Sequence, residues 1–127
     1  MNSKKPHRKL KLWQESMGFV VDLYRVLEGF PKAERFGLVS QLQRAAVSIP
    51  SNLAEGAARK NKKELLQFIY IARGSLSELD TQLEISLRLA YMEEGIFSRL
   101  MEKLSGMSMM LNGLINSLEK TSKSSPS

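Results

Sequence analysis

Residues 41–59 read QLQRAAVSIPSNLAEGAAR, a helical stripe of apolar side chains interrupted by a single proline. The stripe recurs every three or four residues from Val39 to Ala57, which is the period of one face of an α-helix. Pro50 removes one backbone donor and crowds the carbonyl group of Ala46. Because the stripe keeps its phase through Pro50, the sequence predicts one helix kinked at the proline rather than two separate helices.

Three flanking segments, at about residues 12–27, 61–90 and 96–118, show the same helical period. Gly29 and Pro31 end the first, and Asn61 followed by Glu64 has the pattern of an N-cap with a reciprocal acidic residue. Residues 91–95 read as a turn. Four helices with short connections predict an all-α protein, an antiparallel up-down-up-down four-helix bundle, with no strand and no second domain.

Two patterns predict how these helices pack. In the first helix, a stripe of six apolar residues is expected to face the core: Trp13, Met17, Val20, Val21, Tyr24 and Leu27. In the third helix, Gly74 and Ser75 predict a close approach by another helix, because small residues in mid-helix otherwise lower its stability. The alanine pairs at 45–46 and 57–58 of the second helix are the expected partners.

Length and composition indicate a single domain. The chain has 127 residues, 43% of them hydrophobic and 25% charged, so we expect one core in a soluble, cytoplasmic, bacterial protein. It has no cysteine, which excludes disulfides and thiolate metal sites. We expect residues 1–9 to be a disordered basic arm, residues 10–119 to form the bundle and residues 120–127 to be a disordered tail.

The residues that usually carry catalysis are lacking. There is no glycine-rich phosphate loop, no paired histidines at metal-ligand spacing and no cysteine nucleophile, so neither an enzyme nor a cofactor or metal is expected. Glu55 and Glu78 fall at positions predicted to be half-buried and could in principle act as acid and base. The preferred interpretation is structural: each accepts hydrogen bonds between helices or pairs with Arg44 or Arg73, because buried charges are normally paired.

The fourth helix predicts a subunit interface. From residue 105 to residue 118 it has no charged residue, so it is apolar over more than one face, and a small bundle cannot bury all of it. The residues predicted to contact another copy of the chain are Met107, Met109, Met110 and Ile115.

Charge is concentrated toward one end of the predicted bundle. Lys and Arg outnumber Asp and Glu by 19 to 13, and the topology brings the N-terminal arm, the turn after the second helix and the C-terminus together. A cluster of this kind suits phosphate backbones. The residues predicted to bind nucleic acid are Lys4, Lys5, Arg8, Lys9, Lys11, Arg59, Lys60, Lys62 and Lys63, with Lys120 and Lys123 nearby.

Two longer phrases, FPKAERFGLVSQLQRAAVSIPSNLAEGAAR and ARGSLSELDTQLEISLRLAY, resemble a known family. They are similar to the bacterial four-helix bundle proteins named for the intervening sequences of 23S ribosomal RNA genes. The resemblance implies an antiparallel bundle that assembles into a ring-shaped homopentamer. Gln43 stands where the family often has a second Arg, and Ala90 replaces a common Gly before Tyr91.

The chain is also similar, more distantly, to the accessory variability protein of diversity-generating retroelements. That resemblance implies a pentameric bundle whose partners are nucleic acid and a reverse transcriptase. The leading hypothesis is therefore a non-enzymatic homo-oligomer that binds nucleic acid, structured RNA in particular, through its basic end. The alternative is a scaffold or accessory module that binds protein and has no nucleic-acid role.

Overall fold

The computed structural model describes residues 5–123, except for the side chains of Lys9 and of residues 121–123. Four long helices account for most of it: α1 (Lys11–Leu27), α2 (Leu38–Ala57), α3 (Lys62–Arg88) and α4 (Glu94–Lys123). Each helix packs against the next in the chain, and α4 closes the bundle against α1. Within the described residues there is no strand, so the predicted all-α four-helix bundle is confirmed.

Three side-chain contacts show that neighbouring helices run antiparallel. Asp22, in the second half of α1, meets Arg99 near the start of α4 at 2.8 Å. The Tyr70 hydroxyl, near the start of α3, donates to Glu119 close to the end of α4. At the other end of the bundle, the Tyr91 hydroxyl donates to Glu34 at 2.9 Å, joining the α3–α4 turn to the α1–α2 connection.

Helix α2 continues through Pro50, as the unbroken stripe predicted. Pro50 is itself buried, and hydrogen bonds surround the position. The Asn52 amide donates to the carbonyl oxygen of Ser48 at 2.7 Å and to its hydroxyl oxygen at 2.9 Å. The Ser75 hydroxyl donates to the same Ser48 hydroxyl at 2.8 Å, so the middle of α2 is tied to the middle of α3.

The two ends of α3 are capped differently. At its start the Asn61 side chain accepts a hydrogen bond from the backbone N–H of Glu64 at 2.9 Å, which confirms the predicted cap. At its end the N–H of Ala90 donates to Leu87 and that of Tyr91 to Ser86, both at 2.9 Å. This is the Schellman arrangement, which places its C′ residue in the left-handed region. That residue is Ala90, with φ of 60°.

Helix α1 buries only part of its predicted hydrophobic stripe. Trp13 and Leu27 are buried and Val20 packs against the core, as predicted, but Met17, Val21 and Tyr24 are 39%, 47% and 40% exposed. Leu12, Ser16, Phe19 and Leu23 complete the buried face. The Ser16 hydroxyl donates to the carbonyl oxygen of Trp13 at 2.9 Å, so a polar residue is accommodated in the core without an unpaired donor.

The close approach between α2 and α3 occurs at Gly56 rather than at Gly74. A β-carbon at Gly74 would meet no atom of another helix within 4 Å, so the prediction for Gly74 was wrong, whereas Ser75 is buried and contacts Ser48 of α2 as predicted. At Gly56 a β-carbon would lie 2.9 Å from Leu65 Cδ1 and 3.1 Å from Phe68 Cβ. The glycine that α3 requires is therefore the second-last residue of α2.

Ordered structure extends beyond both predicted ends of the bundle, at residues 10 and 119. Residues Pro6–Lys9, expected to belong to a disordered arm, form a short 3₁₀ helix that packs against α1 and α2. His7 lies in this segment with its ring 4.9 Å from that of Trp13. Helix α4 extends to Lys123, into the expected tail. The composition of this basic segment does not favour an ordered structure, but the contacts of His7 and Arg8 with the Trp13 ring do.

Candidate nucleic-acid interface

The basic end of the bundle is built from three segments. The 3₁₀ helix Pro6–Lys9 leads into α1, the turn at 58–61 joins α2 to α3, and the last turns of α4 lie beside the start of α3. The antiparallel topology therefore assembles the predicted cluster from distant parts of the sequence. Its described members, all of them exposed, are Lys5, Arg8, Lys11, Arg59, Lys60, Lys62, Lys63 and Lys120. Together they are termed the basic end.

The lysines of the basic end are free of ion pairs with the described residues. All the ion pairs among those residues involve Arg59, Arg88, Arg99 or Lys103, and none involves a lysine of the basic end. Each lysine ammonium is therefore a solvated charge on a flexible stem. Such charges are available to phosphate groups without first breaking an internal contact.

The carboxylates nearest this end are engaged locally. Glu55 near the end of α2 pairs with Arg59 of the following turn at 3.2 Å, and Glu64 accepts from the Asn61 amide at 3.2 Å. Glu119 accepts the Tyr70 hydroxyl, a hydrogen bond that raises the pKa of that tyrosine, so it stays a neutral donor. Glu64 and Glu119 keep their negative charge, because their donors are neutral, but none of the three acids pairs with a lysine of the basic end.

The arginines of the basic end differ from its lysines, because each lies against an aromatic ring. The guanidinium carbon of Arg8 is 5.2 Å from the Trp13 ring centroid, and that of Arg59 is 4.8 Å from the Phe68 ring centroid. Both distances are within the range of cation–π interactions. A guanidinium held over a ring can still present its N–H edges to planar acceptors such as phosphate, although one edge of Arg59 is occupied by Glu55.

Cations toward the other end are neutralised more completely. Asp22 binds Arg99 at 2.8 Å and Lys103 at 2.8 Å. Burial alone would raise the pKa of Asp22, but the hydrogen bonds from Lys103 and Arg99 outweigh it and hold the pKa below its ordinary value. Arg88 pairs with Glu84 at 3.1 Å. Unpaired positive charge is therefore concentrated at the basic end more strongly than the numbers of charged residues at the two ends indicate.

Some predicted binding residues cannot be placed. Lys4 lies outside the described residues, and the side chains of Lys9 and Lys123 lie outside the described part as well. The backbone of Lys9 belongs to the N-terminal 3₁₀ helix.

The two carboxylates considered for catalysis are not half-buried. Glu55 and Glu78 are both exposed, and Glu55 pairs with Arg59 of the turn after its helix instead of with Arg44. Arg44 and Glu78 form no ion pair with any described residue. The structural role predicted for these three residues is therefore not that of interhelical ties. Over residues 5–123, no three histidine or acidic side chains are grouped to hold a metal ion.

Two of the four residues predicted as a subunit interface belong to the core of the protomer. Met107 is 2% exposed and Ile115 is 3% exposed, so neither is free to contact another chain. Met110 is partly buried against the same core, whereas Met109 is 75% exposed. Both therefore remain predicted contacts. Ile115 lies in the buried line of α4 with Leu100, Leu104, Met107 and Leu111, so the bundle itself covers more of this helix than predicted.

A second surface was missed because the stripe of α1 was assigned to the core. Met17, Val21 and Tyr24 of α1 and Val47 of α2 are exposed and form an apolar surface, here called the α1–α2 face. Tyr24 and Val47 line one shallow groove between the helices. The signal was present in the sequence, since α1 carries two overlapping apolar stripes and only one can be buried.

The fold and the basic end together define a small antiparallel helical bundle with one cationic end. A family model for the 23S rRNA-intervening sequence protein matches residues 8–113, and the chain belongs to this family. A solved structure of a protein of unknown function from the S23 ribosomal protein family of Bacteroides thetaiotaomicron has the same fold. The two share 20% sequence identity with a TM-score of 0.73, over 82% of this chain and 97% of that one. No curated protein matches the chain.

Among residues 5–123, no helix combines the length and the apolar character needed to cross a membrane.

Proposed function

We propose that this chain is a non-enzymatic, homo-oligomeric protein that binds nucleic acid, structured RNA in particular, through its basic end. The observation that carries the proposal is the set of solvated lysines without ion pairs at one end of the bundle: Lys5, Lys11, Lys60, Lys62, Lys63 and Lys120. Lysines paired with acids would have to break those pairs before binding phosphate. Here Glu55 pairs with Arg59, and Glu64 and Glu119 accept hydrogen bonds from Asn61 and Tyr70, so none of these acids pairs with a lysine of the basic end.

Binding of this kind is electrostatic. Each lysine that neutralises a phosphate releases a condensed counterion, so affinity falls as salt rises, with a log-log slope of about 0.9 per duplex phosphate contacted. Because lysine presents a point charge on a flexible stem, it follows the backbone and reads no base sequence. The proposed activity therefore has low sequence specificity and a strong dependence on ionic strength.

A salt titration with duplex RNA tests the proposal. If the six lysines each meet one phosphate, the association constant should fall about a thousandfold between roughly 50 and 200 mM salt. Fluorescence anisotropy of a labelled duplex measures this directly. Absence of binding at the lowest salt concentration would end the proposal.

Self-association would use two different surfaces of the bundle. The α1–α2 face is flanked by Arg25 and Arg44, both exposed and without an ion pair among the described residues. Helix α3 exposes Ile71 and Ile85 on either side of Glu78. A second copy whose α3 surface covered the α1–α2 face would pair apolar with apolar and cation with carboxylate. Such a head-to-tail contact repeats from copy to copy, and it closes into a ring when the rotation that relates neighbouring copies adds up to a full turn.

The alternative function is a protein-binding scaffold without a nucleic-acid role. The observation that favours it is the α1–α2 face itself, because an exposed patch of Met17, Val21, Tyr24 and Val47 is unfavourable in water. A homo-oligomer that forms but does not bind RNA at low salt would support the scaffold function over nucleic-acid binding. A protein partner such as a reverse transcriptase would then be sought.

A further inference from the structure

Three aromatic rings in the half of the bundle that carries the basic end each have a guanidinium over them. Arg8 lies 5.2 Å from the Trp13 centroid, Arg59 lies 4.8 Å from that of Phe68, and Arg73 lies 5.1 Å from that of Tyr70. These residues come from the N-terminal 3₁₀ helix, α1, the turn after α2 and the first half of α3. The pairing of a cation with each ring is therefore a shared feature of this region.

The same rings are held by further contacts. Trp13 is only 9% exposed, and the edge of the His7 ring lies against it with a centroid separation of 4.9 Å. Phe68 is half-buried at the close approach of α2 and α3. Tyr70 is 37% exposed, and its hydroxyl is fixed by Glu119 of α4. None of the three projects from the surface as an isolated platform.

This arrangement disfavours one of the two common ways of binding nucleic acid. Proteins that bind single strands stack unpaired bases on exposed aromatic faces. Here a base would first have to displace a guanidinium and forfeit its cation–π contact. The guanidinium groups and the lysines can still reach phosphate oxygens, because neither contact requires the ring face to be uncovered.

We infer that the basic end binds the sugar-phosphate backbone of nucleic acid whose bases are already paired, and that it does not stack unpaired bases. The inference rests on the proposed function and specifies its ligand class as double-stranded or compactly folded nucleic acid. Recognition would then depend on the spacing of phosphates in a duplex and not on base identity.

Three ligands of equal length separate backbone binding from base stacking: an RNA duplex, an unstructured oligouridylate strand and an abasic strand with the same backbone. Affinity for each is measured at one low salt concentration, together with the emission of Trp13, the only tryptophan of the chain. We expect the oligouridylate and abasic strands to bind within about threefold of each other and the duplex to bind more tightly. Trp13 emission should not be quenched by the oligouridylate.

One stacked base contributes about tenfold or more to affinity. An oligouridylate strand that binds tenfold more tightly than the abasic strand would therefore overturn the inference while leaving the proposed function intact. If none of the three ligands binds, the proposed function itself fails and the inference fails with it.

An Arg73→Gln variant tests the part assigned to the guanidinium, because Tyr70 has the most exposed of the three rings. Uncovering that ring should raise the ratio of oligouridylate to abasic affinity several-fold. The matched control is Arg44→Gln, which removes the same charge from an exposed position of α2 outside the basic end and should leave the ratio unchanged. A ratio that does not move in Arg73→Gln would overturn the assignment.

Discussion

Gly56 of α2 and Leu65 of α3 lie so close together that a β-carbon on Gly56 would be 2.9 Å from Leu65 Cδ1. The contact joins the second-last residue of α2 to the fourth residue of α3. It therefore fixes the geometry of the intervening turn, which carries Arg59 and Lys60 and leads into Lys62 and Lys63 at the start of α3. Packing between two apolar segments thus positions a large part of the basic end.

Gly56→Ala should destabilise the fold. The added methyl group overlaps Leu65 and also meets Phe68 Cβ at 3.1 Å, and overpacking of this kind costs about 1–3 kcal/mol. Improved helix propensity returns about 1 kcal/mol of this. Gly113→Ala is the control, because a β-carbon there meets nothing within 4 Å and should stabilise α4 by about 1 kcal/mol. Urea denaturation compares them, and equal effects of the two variants would refute the close contact.

Ala90→Gly should stabilise the protein. Ala90 occupies the left-handed C′ position after α3 with φ of 60°, where a β-carbon is strained and glycine is not. The expected gain is about 1 kcal/mol in the free energy of unfolding. Ala58→Gly is the matched control, since Ala58 is also exposed at a helix end but has φ of −85°. That change should give no gain; stabilisation by both would indicate that φ at Ala90 is not the cause.

The number of helices, the cap at Asn61 and the continuation of α2 through Pro50 could all be predicted, because each depends on local sequence. A side chain that accepts the N–H of Glu64 needs only the right residue three places before it. The unbroken stripe around Pro50 is likewise a property of one segment. Such features need no knowledge of what packs against the helix.

The buried face of α1 could not be predicted from its period. Leu12, Phe19 and Leu23 form one helical line, and Met17, Val21 and Tyr24 form another displaced from it by less than half a turn. Both lines are apolar, and which one faces the core is decided by α2 and α4. The buried line includes the polar Ser16, and the hydrogen bond to Trp13 that accommodates it there is visible only in the folded chain.

Similar reasons apply to the basic end. The lysines could be assigned to one end from the topology alone, but the covered aromatic rings could not. Arg8 and Trp13 are five residues apart and could be guessed, whereas Arg59 and Phe68 meet only because α2 and α3 approach at Gly56. Exposure of Glu55 and Glu78 also depends on helix rotation, which the sequence pattern did not resolve.

Asp22→Asn should weaken the fold in a pH-dependent way. The pKa of Asp22 is held below its ordinary value of 3.8 in the folded chain, so unfolding takes up a proton when the pH falls. The stabilisation is therefore fully present above that value and is lost as the pH falls through the folded pKa. At pH 7 the free energy of unfolding of the variant should be lower by about 1 kcal/mol. The loss is small because Arg99 and Lys103 are partly exposed to solvent.

Denaturant titrations of wild type and Asp22→Asn at neutral and strongly acidic pH measure this difference. The two proteins should converge in acid. Asp80→Asn is the control, because Asp80 is exposed without an ion pair among the described residues and the change should have little effect at neutral pH. A gap between wild type and Asp22→Asn that widens on acidification would contradict a lowered pKa of Asp22 in the folded chain.

Val21→Lys should dissociate the homo-oligomer proposed for this chain. Val21 is 47% exposed in the protomer, so lysine is tolerated there when the chain is alone, but a copy covering the α1–α2 face would bury the new charge. Light scattering should then give the protomer mass of 14.3 kDa. Met109→Lys tests the other predicted contact, on α4, and leaves the mass unchanged when copies meet through the α1–α2 face. Dissociation by Met109→Lys alone would place the contact on α4 instead.

The most direct test of binding through the basic end is the salt dependence of duplex RNA affinity in two variants of equal net charge. One replaces Lys60, Lys62 and Lys63 by Gln, and the other replaces Lys32, Arg35 and Arg88, which lie toward the opposite end. The first should bind more weakly with its log-log salt slope reduced by about 2.7, and the second should keep the wild-type slope. Equal losses of slope in both variants would contradict a localised basic site and leave only the net charge of +6 to account for binding.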